Sequence, residues 1–206
     1  MKLAICIPCR GSVSGTAFPA LASEIADVTY FWNTEYGEGS SRLFSIARSH
    51  IALARARLLS CAADWGADWI LWIDDDAIPE VGTFRKLYAH KKDMIVPWFC
   101  AREPKGQSVC WNLKKTEGDK IEKTGPIEKP TELTRIGMSG FHYVLMKKEA
   151  ARVVYAVSRG VPFNYTIENG KPFGEDYWFF QYAFCAGIEL WLDPTIHVWH
   201  LGETVV

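Results

Sequence analysis

Trp69-Ile70-Leu71-Trp72-Ile73-Asp74-Asp75-Asp76 joins an unbroken apolar run to three successive acids. Five aliphatic and aromatic residues in a row read as a strand buried on both faces, the kind that builds parallel sheets. Three adjacent carboxylates at its end repel one another and cannot all lose their water. Either they form a solvated acidic turn or a compensating charge sits beside them, most simply a divalent cation. In open α/β sheets, ligands bind at the carboxyl ends of strands, which is where these acids stand.

Working outward, Gly66 can stop a preceding helix, expected over Arg42 to Asp64 with Ser40 or Ser41 as its cap. Its apolar stripe is Ala47, Ile51, Ala54, Leu58, Cys61 and Trp65. That segment also carries Arg42, Arg48, Arg55 and Arg57 with no acid before Asp64. Without i,i+4 carboxylates to offset them, Arg48 and Arg55, seven apart, are candidates to grip an external anion. After the acids, Ala77-Ile78-Pro79-Glu80 is expected to open a helix with Val81, Phe84 and Tyr88 inward.

Leu3 to Pro8 reads as a first strand, Phe18 to Ile25 as a helix, and Val28 to Trp32, β-branched and aromatic, as a second strand. Met94 to Phe99 and Phe141 to Met146 are further strands, and Lys148 to Arg159 a helix. Between Ala101 and Glu132 the chain turns polar; Val109, Trp111 and Leu113 alternate, and Glu117-Gly118-Asp119 suits a hairpin turn. A small protruding β element is expected there. Glu175-Asp176 opens a helix with Phe179, Tyr182, Ala183 and Ala186 inward, followed by strands at Ile188 to Leu192 and Thr195 to Trp199 around an Asp193-Pro194 turn. The alternation of strands and helices predicts an α/β fold, a mostly parallel central sheet flanked by helices.

With 206 residues, 49% of them hydrophobic, the chain suits one domain. Its 23 basic and 24 acidic residues nearly cancel, so no global field draws it to nucleic acid or to an anionic membrane. No apolar run reaches membrane-helix length and none near Met1 resembles a signal peptide, so a soluble, cytoplasmic protein is expected. The six cysteines are expected to be reduced, five of them within apolar stretches. Cys6 and Cys9 point to opposite faces of a strand and have no second pair with which to hold zinc. Among the nine tryptophans, Trp98, Trp111 or Trp178 could stack on a base or sugar ring, although core packing is the commoner role.

Taken in order, Ile5-Cys6-Ile7-Pro8, Ala54-Arg55-Ala56-Arg57-Leu58, Trp72-Ile73-Asp74-Asp75-Asp76, Ile136-Gly137-Met138-Ser139-Gly140-Phe141, Glu175-Asp176 and His200-Leu201-Gly202 resemble the GT-A fold glycosyltransferases that use nucleotide-sugar donors. The resemblance covers nearly the whole chain. It implies a single GT-A-like domain in which residues 1–100 bind the nucleotide and 101–206 the acceptor. By the same resemblance Asp74 and Asp76 form the D-x-D, since a frame starting at Asp75 would need an acid at Ala77. Strand alternation would point both the same way, with Asp75 a tolerant spacer.

The metal ligands implied are Asp74, Asp76 and His200, with Asp74 touching the ribose or the metal shell, and Mn²⁺ or Mg²⁺ as the ion. His50, His90 and His142 receive no role. Pro8, Arg10, Arg48, Arg55 and Asp74 would contact the donor, expected to be a UDP-sugar, and Ala56 departs from the Asn that often follows the Arg in the family. Asp176, supported by Glu175, would be the general base of an inverting transfer to a hydroxyl of a glycan, lipid or protein acceptor. A helix N-terminus stabilises a carboxylate, so such a base works mainly by orientation. The competing readings are a metal-dependent phosphatase or nucleotide-sugar hydrolase, and a non-catalytic sugar-binding or structural protein of the same fold.

Overall fold

The computed structural model describes residues 1–11, 15–100, 108–116, 121–168 and 170–201. In chain order its first half holds β1 (Leu3–Cys9), α1 (Phe18–Tyr36), β2 (Ser41–Ala47), α2 (Ile51–Asp64), β3 (Trp69–Ile73), β4 (Ala77–Ile78), α3 (Thr83–Ala89) and β5 (Met94–Trp98). The second half holds β6 (Trp111–Lys115), β7 (Ile121–Pro126), β8 (Thr134–Ile136), β9 (Tyr143–Lys147), α4 (Lys148–Val157), β10 (Thr166–Glu168), β11 (Lys171–Phe173), α5 (Glu175–Cys185), β12 (Leu190–His197) and β13 (Trp199–His200).

All five residues of β3 are buried because the strand lies inside a seven-stranded sheet of order β2-β1-β3-β9-β5-β12-β8. β1 runs parallel to both β2 and β3, and β5 parallel to β12, while β9 is inserted antiparallel between β3 and β5 and β8 closes the edge antiparallel to β12. The sheet is therefore mostly parallel, with two reversed strands.

Alternate residues of each strand feed two cores. Ala4, Cys6, Ile70 and Trp72 join α2, α4 and α5 on one face; Leu3, Ile5, Trp69, Leu71 and Ile73 join α1 and α3 on the other. This period-two partition is why the strands read as continuous apolar runs. Among the described residues no helix is long and apolar enough to cross a membrane.

Several boundaries differ from expectation. Val28 to Trp32 lies inside α1, where Leu21, Val28 and Trp32 are buried at helical spacing; tertiary burial of that stripe overrides the β preference of the local residues. The second strand is β2 instead, taken from the start of the expected Arg42 helix, because Ser41–Ala47 can pair along the whole of β1. Arg48 then turns the chain at φ 56°, and α2 begins only at Ile51. Its buried residues are Ala54, Arg55, Leu58, Leu59 and Ala62, while Cys61 is exposed.

Ala77 and Ile78 form β4 and the next helix waits until Thr83. Asp193-Pro194 is a register shift inside one strand, consistent with a proline that has no N–H to donate. β6 and β7 pair antiparallel in the segment expected to hold a β element; Glu117-Gly118-Asp119 lies outside the described residues, as do Ser12 and Gly202.

Glu24 on α1 is fully buried and accepts hydrogen bonds from Gly82 N (2.8 Å), Phe84 N (2.7 Å) and the Tyr143 hydroxyl (2.8 Å). It thereby supplies the cap that α3 lacks from its own sequence. Burial holds its carboxyl above the usual carboxylate range against the pull of these donors. The native state therefore binds this proton more tightly than the unfolded chain does. The group's share of stability is fully present at acid pH and is lost as pH rises through the raised value. Glu24→Ala strands three buried donors and is expected to lower stability by about 3 kcal/mol. Urea unfolding reads this as a lower midpoint with an unchanged slope.

Candidate metal and donor site

β3 ends at Ile73, and the acids after it turn: Ala77 N donates to the Asp74 carbonyl at 3.1 Å, a turn that breaks strand alternation. The three carboxylates consequently face three different partners. Asp74 accepts both hydrogen bonds from Arg55 Nη2, at 2.8 and 3.1 Å. Asp75, 6% exposed, accepts the Arg10 backbone N–H at 2.7 Å and so ties the end of β1 to the end of β3. Asp76, 5% exposed, has Oδ1 3.5 Å from His200 Nε2 and 3.6 Å from His142 Nδ1, with Arg10 Nη2 3.5 Å from Oδ2. Asp75 is thus a structural tie, not the tolerant spacer that strand alternation implies.

Both histidines are delivered by strand pairing. The antiparallel register of β9 on β3 pairs Tyr143 with Ile73, and Asp74 N donates to the His142 carbonyl at 3.0 Å. At the chain's end β13 pairs with β4, His200 opposite Ala77, and Leu201 N donates to the Asp76 carbonyl at 3.0 Å. The His142 and His200 rings lie 4.1 Å apart. His142 Nε2 sits 3.1 Å from the Trp199 carbonyl, which can only accept, so Nε2 carries a proton, and Nδ1 is the nitrogen that faces Asp76.

One donor atom each from Asp76, His142 and His200 falls within a span of 4.8 Å. A carboxylate and two imidazoles, one oriented by a backbone carbonyl, are a donor set that could hold a divalent cation. Asp74 is not part of this trio.

Arg55 is 3% exposed and is held on one side by Asp74 and on the other by Glu175, with its guanidinium carbon 4.9 Å from the centre of the Phe141 ring. Burial alone would favour losing its proton, but Asp74 and then Glu175 more than offset this and keep it charged. Glu175 is shifted upward too: burial raises its carboxyl above the usual range even though Arg55 opposes the shift. The acids missing from helix α2 are therefore supplied by other elements, and Arg55 is an internal cation joining the end of β3 to the start of α5. Arg48 sits on the rim beside Gly11 and does not share a helix face with Arg55. Asp176 keeps Oδ1 on its neighbour's Tyr177 N–H at 2.7 Å. Its other oxygen, Oδ2, points toward Gly140 in the cleft floor, where a Cβ would stand 3.9 Å away.

These groups line a cleft of about 780 Å³ bounded by Pro8, Arg10, Arg55, Asp74, Asp75, His142, Glu175, Asp176 and His200. Four carboxylates there, Asp74, Asp75, Glu175 and Asp176, face two guanidinium groups, Arg10 and Arg55. With Asp76 beside them, the cleft repels an anionic ligand until a cation inverts its local charge.

In sequence, the chain matches no family model and no curated protein. In structure it is similar to A197 from STIV, with a TM-score of 0.57 and 15% identity over 100% of this chain and 97% of that one. It is similar to GalNAc-T7, solved with UDP, GalNAc and Mn²⁺, at TM-score 0.60 and 12% identity over 100% of this chain and 44% of that one. Residues 1–349 of S. aureus TarS, in complex with UDP-GlcNAc, give TM-score 0.52 and 12% identity over 100% and 62%. The fold is GT-A. The chain spans less than half of the GalNAc-T7 chain and under two thirds of the TarS chain.

On this GT-A fold the sequence-derived residues Pro8, Arg10, Arg55, Asp74, Glu175, Asp176 and His200 gather at one cleft with Asp76 behind it, and Arg48 stands outside its lining. His142 was the residue that sequence reasoning passed over. The one signal for it was its place directly after Gly140-Phe141 at the head of an apolar run, and that signal acquires meaning only once β9 is known to lie antiparallel to β3.

Proposed function

We propose that the protein is a metal-dependent glycosyltransferase of one domain, moving a sugar from a UDP-sugar donor to an acceptor hydroxyl with inversion. The observation that carries this reading is the Asp76, His142 and His200 cluster, set in an acid-rich cleft that Asp176 overlooks. The bound UDP and Mn²⁺ of GalNAc-T7 and the UDP-GlcNAc of TarS support the donor class. Asp76, His142 and His200 would hold Mn²⁺, and the ion would supply the positive charge against which a diphosphate binds and leaves.

The chain's own residues do the rest. Among the described residues that line the cleft, Arg10, on the exposed rim beside Asp76, is the guanidinium left to reach a phosphate, because Arg55 is held by Asp74 and Glu175. Arg55 acts by fixing Asp74 and Glu175, so that Asp74 can face the nucleotide and Glu175 can hold the first turn of α5. Asp176 then receives the proton of the acceptor hydroxyl as its oxygen attacks the anomeric carbon and the bond from that carbon to the diphosphate breaks.

Incubation with UDP-sugars tests this. Release of UDP that requires Mn²⁺ and stops with a chelator is expected, with a product of inverted anomeric configuration by NMR. Inorganic phosphate as the released species would show a phosphatase instead, and a protein that binds UDP with Mn²⁺ but turns over no donor would be a binder.

A further inference from the structure

A second, smaller pocket of about 220 Å³ opens beside the donor cleft, and Val109 and Asp176 belong to the walls of both. Its other walls include Trp111 of β6, Lys123 of β7, Phe173 of β11 and Tyr177 of α5. The Phe173 and Tyr177 rings lie 4.7 Å apart. The Lys123 ammonium stands 5.2 Å from the centre of the Trp111 ring and 5.0 Å from that of Tyr177. Among the described residues this ammonium makes no hydrogen bond and no ion pair.

The β6–β7 pair is held in place from beneath. Trp111 N donates to the Met138 carbonyl and Gly137 N to the Trp111 carbonyl, both at 2.9 Å, and a Cβ on Gly137 would collide with the backbone nitrogen of Leu113. The wall is therefore built into the fold and not a chance contact.

Three properties of this pocket select its occupant. At about 220 Å³ it is smaller than the ~300–1,000 Å³ typical of drug-sized ligand sites, a size that suits one sugar ring. Aromatic faces suit the apolar face of a pyranose. Among the described residues its charged lining groups are Lys123 and Asp176, which cancel, so these walls offer a donor and an acceptor without a net charge to attract an anion.

We propose that this pocket is the acceptor subsite and that it takes one neutral hexose ring of a saccharide acceptor, with Lys123 donating to its hydroxyls. The inference rests on the glycosyl-transfer reading above. Asp176, on the shared wall, meets the attacking hydroxyl of that ring. The hydroxyl oxygen bonds to the donor's anomeric carbon, its proton passes to Asp176, and the bonding pair leaves with the nucleoside diphosphate. Lys123 is a positioning residue, touching the ring but not the reacting bond.

Calorimetric titration of the whole protein with neutral methyl hexosides, the matching hexuronates and a Ser/Thr peptide tests the pocket; titration with UDP and Mn²⁺, run in parallel, tests the donor cleft separately. A neutral hexoside is expected to bind, K123M to weaken it about tenfold, the loss of one charged hydrogen bond, and K123R to restore most of the affinity. Binding of a hexoside without binding of UDP would sink the donor reading and leave the pocket standing. The proposal is overturned if no neutral hexoside binds, if only the uronate or the peptide binds, or if K123M binds the hexoside as tightly as the parent.

Discussion

Asp76→Ala abolishes Mn²⁺-dependent binding of UDP. Loss of an outer partner of a metal ligand commonly weakens metal affinity about 10–100-fold, and loss of a ligand itself exceeds that, so a fall of at least a hundredfold is expected. Asp76 is the carboxylate on which both imidazoles converge, and its backbone is also clipped by the last strand through Leu201 N. The variant removes the only anionic donor of the trio and leaves His142 and His200 without the charge that would hold a dication. The measurement is UDP affinity with and without Mn²⁺, with the Mn²⁺-induced rise in Tm as a second reading. Unchanged UDP affinity in Mn²⁺ would mean that the ion, if any, is held elsewhere.

Asp176→Asn retains donor binding and loses transfer, with a fall in rate of about 10²–10⁴-fold, the usual contribution of a positioned base. The amide oxygen can still accept the Tyr177 N–H that Oδ1 accepts at 2.7 Å, so the first turn of α5 keeps its geometry. What disappears is the capacity to take a proton on the oxygen facing Gly140 and the cleft. Initial rates and UDP affinity, measured on the same preparation, separate the two effects. A variant that transfers at the parent's rate would remove Asp176 from the chemistry.

How much could be read in advance varies from residue to residue. The burial of Trp69–Ile73 followed from its composition, because a strand with sheet on both sides and a core on each face leaves no position for a polar residue. That His200 and Asp176 belong to one region of the molecule was legible through the order of short motifs along the chain, and both line the same cleft. Val28 to Trp32 was misread because local β preference is a weak term beside the burial of a helical stripe. Arg42 to Ala47 was misread as helix for the converse reason: its pairing partner, β1, is more than thirty residues away in the chain, as in Leu3 opposite Ser41. Arg55 seemed to lack an acid because both of its acids, Asp74 and Glu175, come from elements outside its helix.

From the residues alone came the α/β class, the strand delivering its acids to the carboxyl edge of the sheet, and the pairing of a carboxylate with a C-terminal histidine. Those are properties of local pattern: the period of apolar residues, turn chemistry, and the cost of adjacent charges. Only the tertiary structure decided which acid faces which partner. β3 stops at Ile73, so the following turn sends Asp74 to Arg55, Asp75 to the backbone of Arg10 and Asp76 to the histidines. It alone brought His142 beside Asp76, because a residue at the head of an antiparallel strand inserted between β3 and β5 is placed by register, and register depends on pairings that no single segment carries.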